Sequence, residues 1–567
     1  MVDFPINNPD CITIRTGFVF RTQLPELCKV VKAFKLFVVY GIVFLVGYLG
    51  TGIALHYLKP EVKILPQFVE NILDGGAIWK VQYPETGDVS MFDIRTYNPG
   101  SHDPEEEILF TDDYNSKNGI FCFRGNAQRN APTRGVLKGK PKDIRLDWEF
   151  LTGYDGRTTE YGSWGGGSGW TGQPLVVKWP EKMAKRLHGI DETYLRQPNF
   201  REVIVGSLCG DIYFIDWNTG KATRPHVTIQ NPIKGTVSLD PRMNGLLYVG
   251  QGIKNGDRFG SYVFNLFTGK EIFFRNGLDP KARRAWGAFD SNSLIDAKTG
   301  YWFHPAENGQ IYKTRVLNNQ TIPSAFIFNY QTSVHPDLGI ESSFGAWNNL
   351  GWFGDNGGNV FCLNLMTMKP VWYLDNYDDT DASMVIDLQE DQHPFLYTGN
   401  EVDKQGVSGT AHIRKIDGLT GKEIWDVTRK STNTKLGGRV NSGGVLASVL
   451  PGKKKAANLV YGIFSRVNGS LAGEFVAIDK RTGKEKFKIA MDFYSWASPI
   501  DLYDKAGNCY VFFTDVYGTI YLIDGLTGRI IVKRKTDCVW ESSPVAWGNR
   551  IVVGSRGQKI VSFVIES

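Results

Sequence analysis

Cysteine is scarce, seven in 567 residues, and none form a C-x-x-C pair, so neither a dense disulfide framework nor a common zinc ribbon is available. The haem attachment motif C-x-x-C-H is missing too. The eight histidines are scattered without an H-x-x-x-H pair, which removes the helical zinc-hydrolase arrangement. No G-x-S-x-G occurs, so a hydrolase nucleophile elbow is absent. An excess of charge of one sign is also lacking. Sixty-four Lys+Arg against 59 Asp+Glu leave +5, too little for a nucleic-acid-binding surface, and no nucleic-acid partner is expected. What is plentiful is glycine (63) and aromatics (15 Trp, 24 Tyr, 34 Phe), the composition of short strands joined by tight turns.

One long hydrophobic run stands apart. Leu36–Leu55 carries no charge over twenty residues, which as a helix reaches ~30 Å, the thickness of a hydrocarbon core. It begins late and lacks a small-residue cleavage site, so it reads as an uncleaved anchor. Arg15, Arg21, Lys29, Lys32 and Lys35 precede it, and only Lys59 and Lys63 follow closely. The positive-inside rule then leaves residues 1–35 cytoplasmic, the anchor at 36–57, and the rest exported, in a bacterial inner membrane with the larger part periplasmic. Cys122, Cys209, Cys362, Cys509 and Cys538 lie in the exported part. Their odd number leaves at least one unpaired, and buried free thiols are expected. Residues 58–143 form a juxtamembrane region, with a short helix expected at Gln67–Leu73 and strands near Ile78–Tyr83 and Val89–Ile94.

The remainder repeats. A phrase of glycine, apolar strand, Asp or Asn, then Thr-Gly-Lys, then another apolar strand recurs at Gly210, Gly260, Gly358, Ala411, Gly473 and Gly518, with a divergent copy at Gly309. Its threonines, from Thr219 to Thr527, recur on average about every 51 residues. Each unit reads as four short strands bounded by turn signals, the pattern of a propeller blade. An eighth unit stops at Ser567 before its outer strand, and Ile144–Gly153 (IRLDWEFLTG) has the profile of the missing one. The expected fold is therefore all-β: an eight-bladed β-propeller of four-stranded antiparallel blades over 144–567, preceded by one transmembrane helix.

Phe123–Arg129 (FRGNAQR), then DWEFLTG, GQPLVV and the IDxxTGK repeats, resemble the pyrroloquinoline-quinone-like β-propeller repeat proteins over about residues 119–567. That superfamily includes quinoprotein alcohol dehydrogenases and non-catalytic relatives, among them the lipoprotein of the bacterial outer-membrane assembly machine. The chain departs from the enzymes in having no vicinal cysteine pair. It keeps a tryptophan near the expected docking place only at Trp372 and Trp425. These departures point to a non-catalytic member that binds partner proteins of a membrane or envelope complex, or a ligand, with no cofactor, catalytic residue or metal ligand assigned. The alternative is a dehydrogenase holding pyrroloquinoline quinone and calcium, with Glu341, Asp381 or Glu541 as base.

In a propeller the residues just ahead of each innermost strand crowd the channel. Trp164, Lys234, Arg284, Trp286, Glu341, Asp381, Arg439, Trp496 and Glu541 are the expected funnel residues. They make either a ligand site or charge pairs that close a hydrated channel. The G-x-G-x-x-G at Gly167, Gly169 and Gly172 precedes a strand at Leu175–Val177 rather than a helix, which rejects a dinucleotide site. The acidic run Asp375, Asp378, Asp379 and Asp381 reads as a solvated loop.

Overall fold

The computed structural model describes residues 95–97 and 108–567, apart from 113, 116, 117, 171, 318, 319, 437 and 438, together with the single residue Tyr48. The expected anchor Leu36–Leu55, the helix at Gln67–Leu73 and the strands at Ile78–Tyr83 and Val89–Ile94 otherwise lie outside the described residues. Among the described residues no helix is long and apolar enough to cross a membrane. The chain divides into two compact units, Met1–Tyr83 and Pro84–Ser567; Tyr48, in the first, is helical and exposed.

The second unit is nearly all β, built of antiparallel four-stranded sheets that follow one another along the chain, the arrangement of a β-propeller. Eight sheets of four or five strands are described. Their first strands are Leu175–Lys178, Ser238–Leu239, Leu294–Ile295, Gly345–Trp347, Val385–Leu388, Leu450–Pro451, Ile500–Tyr503 and Val545–Trp547. The last sheet takes its outer strand from the start of the unit: Asp143–Leu151 pairs antiparallel with Lys559–Glu566, Ile144 opposite Ile565 and Phe150 opposite Ile560. This pairing covers an edge that would otherwise present a row of unpaired N–H and C=O groups.

The recurring Asp-x-x-Thr-Gly turn holds the sheets to each other. The Asp216 carboxylate accepts from the backbone N–H and the hydroxyl of Thr219, both at 2.8 Å, and Asp479 does the same for Thr482. The turn closes on a glycine at φ near +70°, as at Gly220, Gly421 and Gly483, a conformation that costs a side-chain-bearing residue ~1–2 kcal/mol. The bare glycine face is where the outer aromatic of the preceding sheet rests. Trp148 lies on Gly220, Trp372 on Gly421, Trp425 on Gly483 and Phe487 on Gly528. The indole N–H groups donate to the same turns, Trp148 to Trp217 O at 3.2 Å, Trp372 to Gly418 O at 2.9 Å and Trp425 to Lys480 O at 3.0 Å. Aromatic docking thus extends beyond Trp372 and Trp425. Trp148 makes the joint between the last sheet and the first, and a phenylalanine substitutes in another. Gly421→Ala is expected to destabilise the protein by ~2 kcal/mol or more, because a Cβ there would sit 2.8 Å from the Trp372 ring in addition to the positive φ. Gly406→Ala, at φ +89° with nothing within 4 Å, should cost only the backbone part. The two urea midpoints compare them directly.

All five described cysteines are free, and Cys122, Cys362, Cys509 and Cys538 are buried. The run Asp378, Asp379, Asp381 is not a solvated loop: the three are 0%, 7% and 5% exposed. The Asp378 carboxylate is consumed by the backbone N–H groups of Asp403, Lys404 and Gln405. Asp379 and Asp381 turn up in the functional site.

Candidate functional site

The segment ahead of the closing strand runs through the middle of the assembly. Gly119–Ile120 pairs antiparallel with the first strand of the first sheet, and Thr133–Arg134 pairs parallel with that of the eighth. Between them, Phe121 O accepts from Leu239 N, Ala127 O from Ala346 N and Gln128 O from Ile386 N. Two fully buried arginines tie the segment down. Arg129 donates to Phe344 O, Phe123 O, Asn292 Oδ1 and Asn292 O, and Arg124 donates to Arg129 O and Pro499 O. Burial lowers both pKa values, that of Arg124 to about 10, which leaves Arg124 charged at neutral pH. One segment therefore bonds to the first strand, or the residues just before it, of seven of the eight sheets. It plugs the channel along those strands.

The other side of the channel is a cavity of about 320 Å³. Its lining follows two positional rules. The residue four before the first strand is Lys234, Asp290, Glu341, Asp381, Leu446, Trp496 and Glu541 in the second to eighth sheets. All but Asp290 line the cavity. Two residues beyond the second strand stand Leu208, Glu401 and Arg556, which also line it, and Glu307 and Asn356 close behind. Several of these second strands end in glycine, as at Gly206, Gly250, Gly399 and Gly554, because the next sheet's lead-in approaches too closely for a Cβ. Ser and Thr two before the first strands knit neighbours together. The N–H of Gln173 donates to the Thr236 hydroxyl, that of Ser343 to Ser383, and that of Ser498 to Ser543, at 2.8 to 3.0 Å.

Six of the nine expected residues, Trp164, Lys234, Glu341, Asp381, Trp496 and Glu541, meet at this cavity. Arg284 and Trp286 do not line it. The third sheet starts at Leu294, so its lead-in residue is Asp290, and Arg284 and Trp286 stand behind, the Trp286 N–H donating to Glu307 Oε2 at 2.8 Å. Arg439 sits in the short strand Arg439–Asn441, and its side chain lies outside the described residues; the sixth sheet's lead-in residue is Leu446. Trp164 arrives on a hairpin, Tyr154–Thr159 and Gly162–Gly167, that reaches across so that the Tyr161 ring meets Trp286 at 4.8 Å. Asp290, Glu307, Asp379, Glu401, Trp170 and Arg556 were missed. The strand-Gly-polar-x phrase, as in TGNE and VGSR, is the signal that could have found Glu401 and Arg556.

The cavity is acidic. Carboxylate oxygens of Asp290, Glu307 and Glu341 lie within 4.8 Å of one another, an oxygen set suited to calcium. The Lys234 ammonium already sits against Asp290 and 3.7 Å from Glu341. Burial works against that ammonium, but the attraction of Asp290, Glu341 and Glu307 outweighs it and raises its pKa. Burial, then repulsion from Glu341 and Asp290, pushes Glu307 well up. Arg556 is paired with Glu541 at 3.0 Å and lies over the Trp164 ring. Further round, burial and the Glu401 charge push Asp381 well up, burial foremost pushes Asp379 well up, and burial pushes Glu401 to about 8. A tricarboxylic quinone needs spare cations, and here Lys234 and Arg556 are each held by carboxylates while further carboxylates face the space. The residues do not fit that cofactor.

No protein-family model and no curated protein matches the sequence. Among solved structures, the computationally designed protein Ika8 aligns at 16% identity and TM-score 0.43, covering 64% of this chain and 93% of its own. BamB from Moraxella catarrhalis aligns at 15% identity and TM-score 0.43, covering 69% of this chain and 96% of its own. A europium-containing methanol dehydrogenase aligns at 13% identity and TM-score 0.41, covering 82% and 99%.

Proposed function

We propose that this chain is a non-catalytic ligand-binding scaffold: an eight-bladed propeller, carried outside a bacterial inner membrane by Leu36–Leu55, that serves a membrane or envelope complex. The observation that carries the reading is the one-ended funnel. The plug at 119–134 fills the channel along the first strands, and what is left is a small pocket with aromatic walls and convergent polar groups, the form of a ligand site rather than a pore. Against the dehydrogenase stands the charge of that pocket, where the chain's own ammonium serves the carboxylates a calcium would use.

Purified full-length protein incubated with pyrroloquinoline quinone and calcium should retain no quinone absorbance after gel filtration and reduce no dye with alcohols. Stoichiometric bound quinone with dye reduction would overturn the reading.

A further inference from the structure

We propose that the funnel binds a small primary amine that also carries a hydrogen-bond acceptor, an amino alcohol in chemical class, with its ammonium seated among Asp379, Asp381 and Glu401. The inference rests on the binding reading above and names the ligand class of that same site.

The charges facing the cavity are divided. Lys234 is engaged by Asp290 and Glu341, and Arg556 by Glu541. Asp379, Asp381 and Glu401 line the same space, and among the described residues no lysine or arginine forms an ion pair with any of them. Asp379 is 7% exposed, and its Oδ1 is buried with no hydrogen-bond partner. A buried carboxylate oxygen without a donor is costly, and a donor-bearing cation is the chemistry that matches it. The indole N–H groups of Trp164 and Trp170, at the lead-in of the first sheet and also lining the cavity, are likewise without partners. They call for an acceptor oxygen. One ligand with an ammonium and a hydroxyl on a short apolar body satisfies both orphaned sets, and Leu208, Leu446 and the tryptophan rings receive the body. At about 320 Å³ the space is at the lower end for ligand pockets, which selects a small molecule over a folded partner.

Ionisation follows the ligand. Glu401 faces Asp381, with which it shares a hydrogen bond, then Asp379, Ser442 and Asp403; Lys404 lies against Asp403 and attracts Asp379 from beyond ion-pair distance, Asp381 and Glu341 repel Asp379, and Lys234 and Glu341 reach Asp381. An ammonium arriving here favours the charged carboxylates, so binding releases protons and tightens as pH rises toward about 8, where Glu401 ionises. The amine itself stays charged to ~10.

The probes are 5-amino-1-pentanol, pentylamine, 1-pentanol and calcium, titrated into the full-length chain by calorimetry with tryptophan fluorescence followed in parallel. The amino alcohol should bind saturably, pentylamine more weakly and pentanol not at all, with affinity for the amino alcohol about tenfold higher at pH 8 than at pH 6. Asp379→Asn and Glu401→Gln, close in shape to the originals, should each weaken it at least tenfold. If either variant unfolds, the ranking of the three organic probes on the unaltered chain still decides. Equal binding of pentanol, binding of none of the amines, or displacement of the amine by calcium at equal or lower concentration would overturn the assignment. These results leave the binding reading standing, which fails only on bound, dye-reducing quinone.

Discussion

Trp148→Ala is expected to destabilise the protein by ~3–5 kcal/mol, as for other buried tryptophan truncations, and to open it at one particular joint. Trp148 is 8% exposed, stacks on the bare face of Gly220 and donates its indole N–H to Trp217 O. It belongs to the strand that completes the last sheet and touches the turn of the first, so its loss frees the borrowed strand Asp143–Leu151 along with the contact. Trp425→Ala removes a like contact between two sheets already joined by continuous chain. The urea midpoint should fall in both variants, but protease cleavage between residues 152 and 162 should accelerate only in Trp148→Ala. Trp148→Phe should recover most of the stability, since a phenylalanine does this job at Gly528. Equal cleavage in the two alanine variants would refute the role of the joint.

Arg129→Met should be at least as damaging, ~3–5 kcal/mol, because it strands several buried neutral acceptors at once. Four hydrogen bonds leave one fully buried guanidinium for Phe344 O, Phe123 O, Asn292 Oδ1 and Asn292 O. Each buried acceptor stranded without a donor costs ~1–3 kcal/mol. Arg129→Lys keeps the charge but not the planar fork, so it should recover only part of the loss. Chemical denaturation followed by tryptophan fluorescence distinguishes the three. A methionine variant as stable as the parent would mean that the plug is not what holds the first strands in place.

The fold was legible because its signals are local. An Asp-x-x-Thr-Gly turn needs a carboxylate three residues before a threonine and a glycine at positive φ, and those are written consecutively at Asp216–Gly220, Asp417–Gly421 and Asp479–Gly483. The borrowed strand was legible for a similar reason, since the strand profile of Ile144–Gly153 is carried by consecutive residues, and it pairs with Lys559–Glu566. The docking role of Trp148 was not, because it rests on a glycine some seventy residues away across the closing joint.

The site was legible in part. Glu341, Asp381 and Glu541 stand directly before runs that start strands, so counting back from the strand located them. In the third sheet the strand starts at Leu294, later than the sequence reading of Arg284 and Trp286 supposed, so Asp290 holds the lead-in place. Asp379 looked like one more exposed acid in a polar run. It is 7% exposed and stands near Glu341, Lys404 and Asp403, groups distant in sequence that no local pattern records.

Composition and period by themselves determined that this is a β protein of repeated four-stranded units, because turn chemistry and alternation act over a few residues. Tertiary structure alone decided that FRGNAQR is a plug, that Lys234 is spent on its own chain's carboxylates, and that Asp379, Asp381 and Glu401 share a space. Those facts depend on which distant groups burial brings within a few ångströms, where desolvation and Coulomb forces become large enough to choose a ligand.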